Sequence, residues 1–209
     1  MSGNDLAALT LDYLCSGKGR EGAVVSTVVT SDFMAEVARH HGLPVVWTLT
    51  GFKNIAVCMD RLDELKEAYA FGAEESYGML LPPKLRDKDG VTAALVVAEM
   101  AGHFKARGMT LFEAVDALMA RVGTFHNRLV NLEDPRPGGA KRFAEAMERI
   151  RTAGLASLGG EKVVSWEDFQ TGLWHGEGRS EAILDRPDNR AVALPIPRSN
   201  VLKFRLESG

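Results

Sequence analysis

The spacing of apolar residues switches several times along the chain, and each switch predicts a change of element. Leu6, Leu9, Tyr13 and Leu14 recur at helical intervals over residues 5–14, and Gly17-Lys18-Gly19 ends that pattern. Residues 23–29 are β-branched and almost wholly apolar, as in a strand covered on both faces. Thr30 or Ser31 can cap the next helix, whose apolar positions are Phe33, Met34, Val37 and Ala38. Gly42 sits where a left-handed cap is wanted, and Pro44 keeps the helix from restarting. Residues 44–48 form a second short apolar strand. Strand, helix and strand in succession predict a βαβ unit with parallel strands. A further helix runs through Ile55, Val57, Met59 and Leu62, and Tyr69-Ala70-Phe71 reads as the end of a buried strand.

Pro82-Pro83 breaks the chain, and Arg86-Asp87-Lys88-Asp89-Gly90 leads into a long helix. Its expected core face is Val91, Ala94, Leu95, Ala98 and Ala101. Thr110 with Glu113 forms a capping box for a helix through Leu111, Val115, Leu118 and Met119. The pattern changes near Gly123, where a second, α+β unit is expected to begin. Residues 124–132 read as a strand, a helix follows from 140 to about 151, and 162–166 read as another strand. Residues 170–190 read as a loop or an irregular hairpin, and 201–207 alternate as a half-exposed strand. A lone strand there leaves an open edge unless more chain or a partner covers it.

With 209 residues, 45% apolar and 25% charged, the composition is that of a globular chain of one large or two modest domains. A formal net charge of −3 and the lack of a long basic run argue against nucleic acid as a partner. No apolar run approaches the roughly 20 residues that span a bilayer, so no membrane partner is expected. Without a basic-then-apolar leader, a cytoplasmic location is expected. Cys15 and Cys58 share no CxxC spacing and read as reduced core thiols.

Candidate chemistry concentrates at Phe71-Gly72-Ala73-Glu74-Glu75-Ser76-Tyr77-Gly78. A strand that ends on small residues and then presents carboxylates and a hydroxyl places acceptors at a sheet edge, where ligands of open α/β sheets collect. Ionised Glu only accepts hydrogen bonds, which suits a ligand rich in hydroxyl groups, although a solvated turn has the same composition. Thr48-Leu49-Thr50-Gly51-Phe52-Lys53 puts hydroxyls, a glycine and a lysine at a strand-to-helix junction, either for an anion or sugar or for turn and cap geometry alone. The Arg86-Asp87-Lys88-Asp89 cluster at a helix start suits cap chemistry, but the macrodipole disfavours Arg86 and Lys88 there, which makes a ligand phosphate or a carboxylate partner the alternative for them. Asp87 and Asp89 read as helix-start residues rather than cation ligands, and the five histidines share no metal-ligand spacing.

Taken together, these stretches resemble the α-D-phosphohexomutases, the phosphoglucomutase/phosphomannomutase family, in its bacterial branch. Residues 48–53 match the family's TPTGFK-type loop and 71–78 its GEES-type loop. Arg86-Asp87-Lys88-Asp89-Gly90 resembles the RDKDG segment. Leu194-Pro195 and Arg198-Ser199-Asn200-Val201-Leu202-Lys203-Phe204 resemble the LPxSNVLKF-type strand of the last domain.

The resemblance implies an α/β domain 3 (a mixed sheet flanked by helices) over roughly 1–122. A partial α+β, TATA-binding-protein-like domain 4 follows over roughly 123–209. It assigns Glu74 and Ser76 to sugar hydroxyls, Thr50 and Gly51 to the same pocket, and Lys88 to the sugar or its phosphate. Glu75 is left as a turn residue and Lys53 to its own loop.

For the parent enzyme the resemblance implies phosphoryl transfer between O1 and O6 of glucose or mannose, through a phosphoserine and a hexose 1,6-bisphosphate, with Mg²⁺. The phosphoserine loop, the DGDGDR-type Mg²⁺ loop and the RPSGTEP-type phosphate clamp have no counterpart here. The chain is therefore expected to be a piece whose partners are hexose phosphate and the missing first two domains. None of its own residues is expected to be catalytic, to hold a metal or to bind a cofactor. A stand-alone, non-catalytic module binding sugar phosphates or a protein is the alternative.

Overall fold

The computed structural model describes residues 1–81, 85–183 and 197–208. Two compact units are present: Met1–Asn127, and the described residues from Arg128 onward. Pro82-Pro83, Leu194-Pro195 and Gly209, which the sequence reading invoked, lie outside the described residues.

In the first unit the order is α1 (Gly3–Lys18), β1 (Ala23–Thr27), α2 (Asp32–His40), β2 (Val45–Thr48), α3 (Phe52–Leu65), β3 (Tyr69–Ala73), β4 (Met79–Leu80), α4 (Gly90–Lys105) and α5 (Leu111–Val122). The strands form one sheet in the order β2-β1-β3-β4, with β1 parallel to both neighbours and β4 antiparallel to β3. The βαβ unit is therefore present, and β4 makes the sheet mixed. Helices cover both faces, which is why every residue of β1 and β3 is buried and both strands are largely apolar. Val24 and Phe71 join a core cluster with α1, α2, α4 and α5, while Val25 and Tyr69 join a second one under α3.

Local chemistry explains the helix ends. Ser2 and Asp5 form a reciprocal capping box at the start of α1, Ser31 rather than Thr30 caps α2, and Thr110 with Glu113 caps α5. Gly19 closes α1 in the left-handed conformation at φ 62°. Helix α1 is buried on nearly all sides, against α2, α4 and α5.

Two expectations are corrected in this unit and after it. The face of α4 that packs inward is Ala93, Val96, Val97, Met100 and Phe104; Val91 is 82% and Leu95 68% exposed. Apolar residues fill positions 93–98 of this helix without a break, so helical periodicity could not choose the face, and contact with α1, α5 and β4 did. Residues 124–132, expected as a strand, carry no regular structure, and Leu129, Val130 and Leu132 are exposed.

The second unit contains α6 (Gly139–Ala153), β5 (Ser157–Leu158), β6 (Glu161–Asp168), β7 (Leu173–Gly176), β8 (Arg179–Ala182) and β9 (Leu202–Leu206). Among the described residues, its pairings are all antiparallel. β7 and β8 make a hairpin within the stretch read as a loop or hairpin, and β9 pairs with β6 in the register Trp166↔Phe204 and Asp168↔Leu202. The alternating strand thus has a neighbour, and its residues are all half-buried. Asp168, 1% exposed, accepts from Arg151 Nε at 3.1 Å, from Thr171 Oγ1 at 2.6 Å and from the Gln170 N–H at 3.0 Å. Arg151 also donates to Asn200 Oδ1 at 2.6 Å, tying the Arg198-Ser199-Asn200 segment to α6.

Candidate functional site

β2, β1 and β3 run parallel, so the segments that leave their carboxyl ends gather along one edge of the sheet. These segments are Leu49-Thr50-Gly51 after β2, the Thr27–Ser31 stretch after β1, and Glu74-Glu75-Ser76-Tyr77-Gly78 between β3 and β4. Three of the stretches singled out in the sequence lie on or beside this edge.

Glu74 joins two of them. Its Oε1 accepts the backbone N–H of Gly51, the residue that opens α3, and the side chain is buried with the residue 8% exposed. Gly51 has φ 106°, a conformation a side chain would strain, and no side chain of its own segment caps α3. A carboxylate from the third strand therefore does the work of a cap for a helix that follows the second, and its negative charge sits where the macrodipole favours it. Thr50 is exposed beside this contact, and its carbonyl accepts from Asn54 Nδ2 at 2.7 Å.

Glu75, read as a turn residue, does more than turn. Its Oε2 accepts from Thr30 Oγ1 at 3.0 Å, and Thr30 Oγ1 is 2.8 Å from Thr27 Oγ1 in a buried pair at the end of β1. The loop closes on itself through the Glu74 N–H and the Gly78 carbonyl at 3.0 Å. From below it rests on the start of α1. A Cβ on Gly3 would lie 2.8 Å from the Tyr77 nitrogen and well inside contact distance of the Glu75 carbonyl oxygen. Asn4 Oδ1 accepts the Ser31 N–H at 3.0 Å, and Tyr77 Oη donates to the Met1 carbonyl at 3.2 Å. Gly3 and Asn4 were missed by sequence reasoning, which read Thr30 only as a possible helix cap and gave Tyr77 no role of its own. A glycine as the first residue of a well-capped helix was the only local signal.

Ser76 and Lys88, both exposed, line one shallow pocket of about 140 Å³ together with Tyr77, Gly78, Met79, Asp89, Gly90 and Ala93. The structure thus groups the expected site residues in two sets, Thr50 with Gly51 and Glu74, and Ser76 with Lys88, connected through the five-residue loop. Lys53 is exposed on the first turn of α3.

The charged run before α4 resolves into separate roles. Arg86 bridges Asp60 and Asp63 on the surface of α3, and the Asp60 bond first raises the pKa of its guanidinium. A carboxylate partner, one of the two alternatives, accounts for Arg86. Asp89 caps α4 and is held below the usual carboxylate range by the Thr92 hydroxyl, with the Val91 N–H adding to it. Asp87 accepts its neighbour's N–H, from Lys88 at 2.7 Å. Lys88 is the cation of this run that faces the pocket.

Among the described residues no group of three or more His, Cys, Asp or Glu is placed to hold a metal ion. Cys15 and Cys58 are free; burial, then the charge of Asp12, pushes the Cys15 thiol up to about 11. His41, at the C-terminal cap of α2, is 2.8 Å from Asp12 Oδ1. No described helix is long and apolar enough to cross a membrane.

Comparison with known proteins agrees with the fold. The phosphoglucomutase of Staphylococcus epidermidis is 27% identical over 212 residues, which takes in 100% of this chain and 37% of that protein. A phosphoglucomutase of Staphylococcus aureus is 28% identical over 211 residues, 100% of this chain and 36% of its own length. The chain therefore spans a little over a third of these relatives. The structure of pp63/parafusin, a phosphoglucomutase from Paramecium in its open form, superposes with a TM-score of 0.55 at 20% identity, covering 87% of this chain and 31% of that one, a likeness of fold. Residues 2–122 match the family described as phosphoglucomutase/phosphomannomutase, alpha/beta/alpha domain III. The chain belongs to the phosphoglucomutase/phosphomannomutase family, and its first unit is that family's third domain.

Proposed function

We propose that this chain supplies the sugar-recognising wall of a phosphohexomutase that interconverts hexose 1-phosphate and hexose 6-phosphate. One observation carries the reading: Glu74 ties the Gly51 segment to the loop that presents Ser76 beside Lys88. Acceptors, a hydroxyl and one cation then stand together at the strand ends, a set suited to the hydroxyls and phosphate of a sugar phosphate. Glu74 keeps acceptor capacity beyond the bond to Gly51, since an ionised carboxylate offers about four lone-pair sites. Ser76 donates or accepts, and Lys88 supplies a point charge for phosphate.

In the parent enzyme the transfer would run through a phosphoserine and a hexose 1,6-bisphosphate that presents either phosphate in turn. A few acceptors at a loop accommodate two orientations of the sugar better than a rigid cage does. In this reading Mg²⁺ serves the phosphoryl transfer at the parent enzyme's further domains. The part of this chain's own residues is to bind and orient the sugar. Partners in this reading are hexose phosphate and the further domains that the relatives carry, and the working compartment is the cytoplasm. The same geometry in a stand-alone module would bind sugar phosphate without turnover.

Titrating the 209-residue chain with glucose 1-phosphate and glucose 6-phosphate, followed by amide NMR, tests the reading. Shifts confined to residues 50–51, 74–78 and 88, with a dissociation constant on the order of millimolar, are expected when one wall of a cleft binds alone. Ser76→Ala, at an exposed position, should weaken binding without unfolding. Glu74→Gln keeps an oxygen for the Gly51 N–H while removing the charge, and should weaken it too. Micromolar affinity would favour the stand-alone module. Shifts that avoid this edge altogether would end the proposal.

A further inference from the structure

Tyr77 is in conflict with its position. Its φ is +66°, in the left-handed region that glycine occupies at no steric cost and an aromatic residue rarely adopts. The residue is also 59% exposed. The surroundings hold the backbone there from three sides: the Glu74 N–H to Gly78 carbonyl closure, the Glu75 to Thr30 bond, and the close approach of Gly3 beneath Glu75 and Tyr77. Tyr69, by contrast, is buried in the core under α3, where an aromatic ring explains itself by packing. A strained backbone with an exposed aromatic residue, enforced by several contacts, is a combination that functional sites retain and other surface turns lose. The ring lines the same small pocket as Ser76 and Lys88.

We infer that Tyr77 is the aromatic wall of the sugar site, its ring stacking on the C–H face of the bound hexose while Ser76 and Glu74 take its hydroxyls. The inference rests on the site reading above and deepens it. A pyranose is amphipathic: its hydroxyls lie around the rim and its C–H bonds are exposed on the ring faces. An acceptor set alone grips the rim and leaves the face in water. An aromatic ring beside those acceptors removes apolar surface on both partners and selects for a ring-shaped ligand over an open-chain polyol phosphate. The bond from Tyr77 Oη to the Met1 carbonyl fixes the ring's tilt from its far end, away from the stacking face.

Three variants of the full chain separate the ring from its backbone and its hydroxyl. Tyr77→Gly relieves the left-handed strain, so its thermal midpoint should equal or exceed that of the parent. Its affinity for glucose 6-phosphate should nonetheless fall about fivefold to tenfold, the range expected for one aromatic contact. Tyr77→Phe keeps the ring and should bind within about twofold of the parent. The sugar's ring protons should move upfield on binding to the parent and to Tyr77→Phe, and stay in place with Tyr77→Gly. Unchanged affinity in Tyr77→Gly overturns the inference, as does a loss in Tyr77→Phe equal to that in Tyr77→Gly. A lowered midpoint in Tyr77→Gly would likewise show that the side chain serves the fold instead. Ser76→Ala, run beside them, keeps the two readings apart. If it weakens binding while Tyr77→Gly does not, only the stacking role falls. If neither variant changes binding, or the parent gives no shifts at this edge, the site reading falls with it.

Discussion

Replacing Gly3 by alanine should destabilise the first unit, against what helix propensity alone would say. Gly3 is the first residue of α1, just after the Ser2 cap, and its φ is not in the left-handed region. Alanine is preferred to glycine inside a helix by about 1 kcal/mol, so a reading of the sequence predicts a gain. The structure reverses the sign. The new methyl would meet the Glu75 carbonyl and the Tyr77 nitrogen, the latter at 2.8 Å. Both are backbone atoms, so no side-chain rotation relieves the overlap, and either α1 or the loop must move. Overpacking of this kind costs about 1–3 kcal/mol, and an overlap with backbone that no rotamer relieves belongs in the upper half of that range, about 2–3 kcal/mol. Set against at most about 1 kcal/mol of propensity, the net loss should be about 1–2 kcal/mol. With a urea m-value of about 2 kcal/mol/M for a domain of this size, the midpoint should drop by roughly 0.5–1 M. Urea unfolding followed by far-UV circular dichroism, weighted toward the helices of this unit, reads that shift. Under the proposed function, hexose phosphate affinity should fall as well, because the displaced loop carries Ser76. A midpoint equal to or above that of the parent would show that the loop does not rest on α1 as described, and the argument would fail.

The matched substitution at Gly102 should go the other way. Gly102 lies in the last turns of α4 with nothing within 4 Å of a built Cβ, so Gly102→Ala should stabilise by about 0.5–1 kcal/mol, read by the same urea titration; a loss would count against the placement of α4. In the second unit, Asp168→Ala removes the buried acceptor shared by Arg151, Thr171 and the Gln170 N–H, leaving Arg151 only Glu148 and Asn200, and should cost about 3 kcal/mol. Burial raises the pKa of Asp168, but the bonds from Thr171, Arg151 and the Gln170 N–H outweigh it and hold the carboxyl below its usual value. A depressed folded pKa stabilises above the unfolded value of about 3.9 and is lost as pH falls through the folded one. The second unit should therefore weaken as acid is added below about pH 4, and Asp168→Asn should flatten that part of a stability-against-pH curve.

Features set by neighbours in sequence were legible from sequence. Ser31 and the Thr110–Glu113 box cap their helices because a cap is a bond between residues two or three apart. β1 and β2 were readable because a strand buried on both faces is apolar or β-branched at most positions, and that density needs no knowledge of partners. The grouping of the 48–53 and 71–78 stretches at one sheet edge followed from parallel topology, since parallel strands put all their carboxyl ends on one side. The family match over residues 2–122 has the same origin, because those motifs are local strings.

Contacts between distant residues decided the rest. Helix α4 is apolar on most of its circumference, so only the surfaces of α1, α5 and β4 could select Met100 and leave Leu95 in water. The two residues of β4 carry too little pattern to announce a strand, and β3 supplied the missing half of each hydrogen bond. Residues 124–132 hold apolar side chains but gain no strand partner among the described residues, and a strand without a partner has no ladder to hold it. Glu74 looked like a free acceptor in the sequence; across the sheet edge it became the cap of another segment's helix. Gly3 and Tyr77 acquired their meaning only where the start of α1 meets the β3–β4 loop, 74 residues along the chain from it. A local string records what its own backbone needs, and which backbone it must make room for is settled only when the chain has folded.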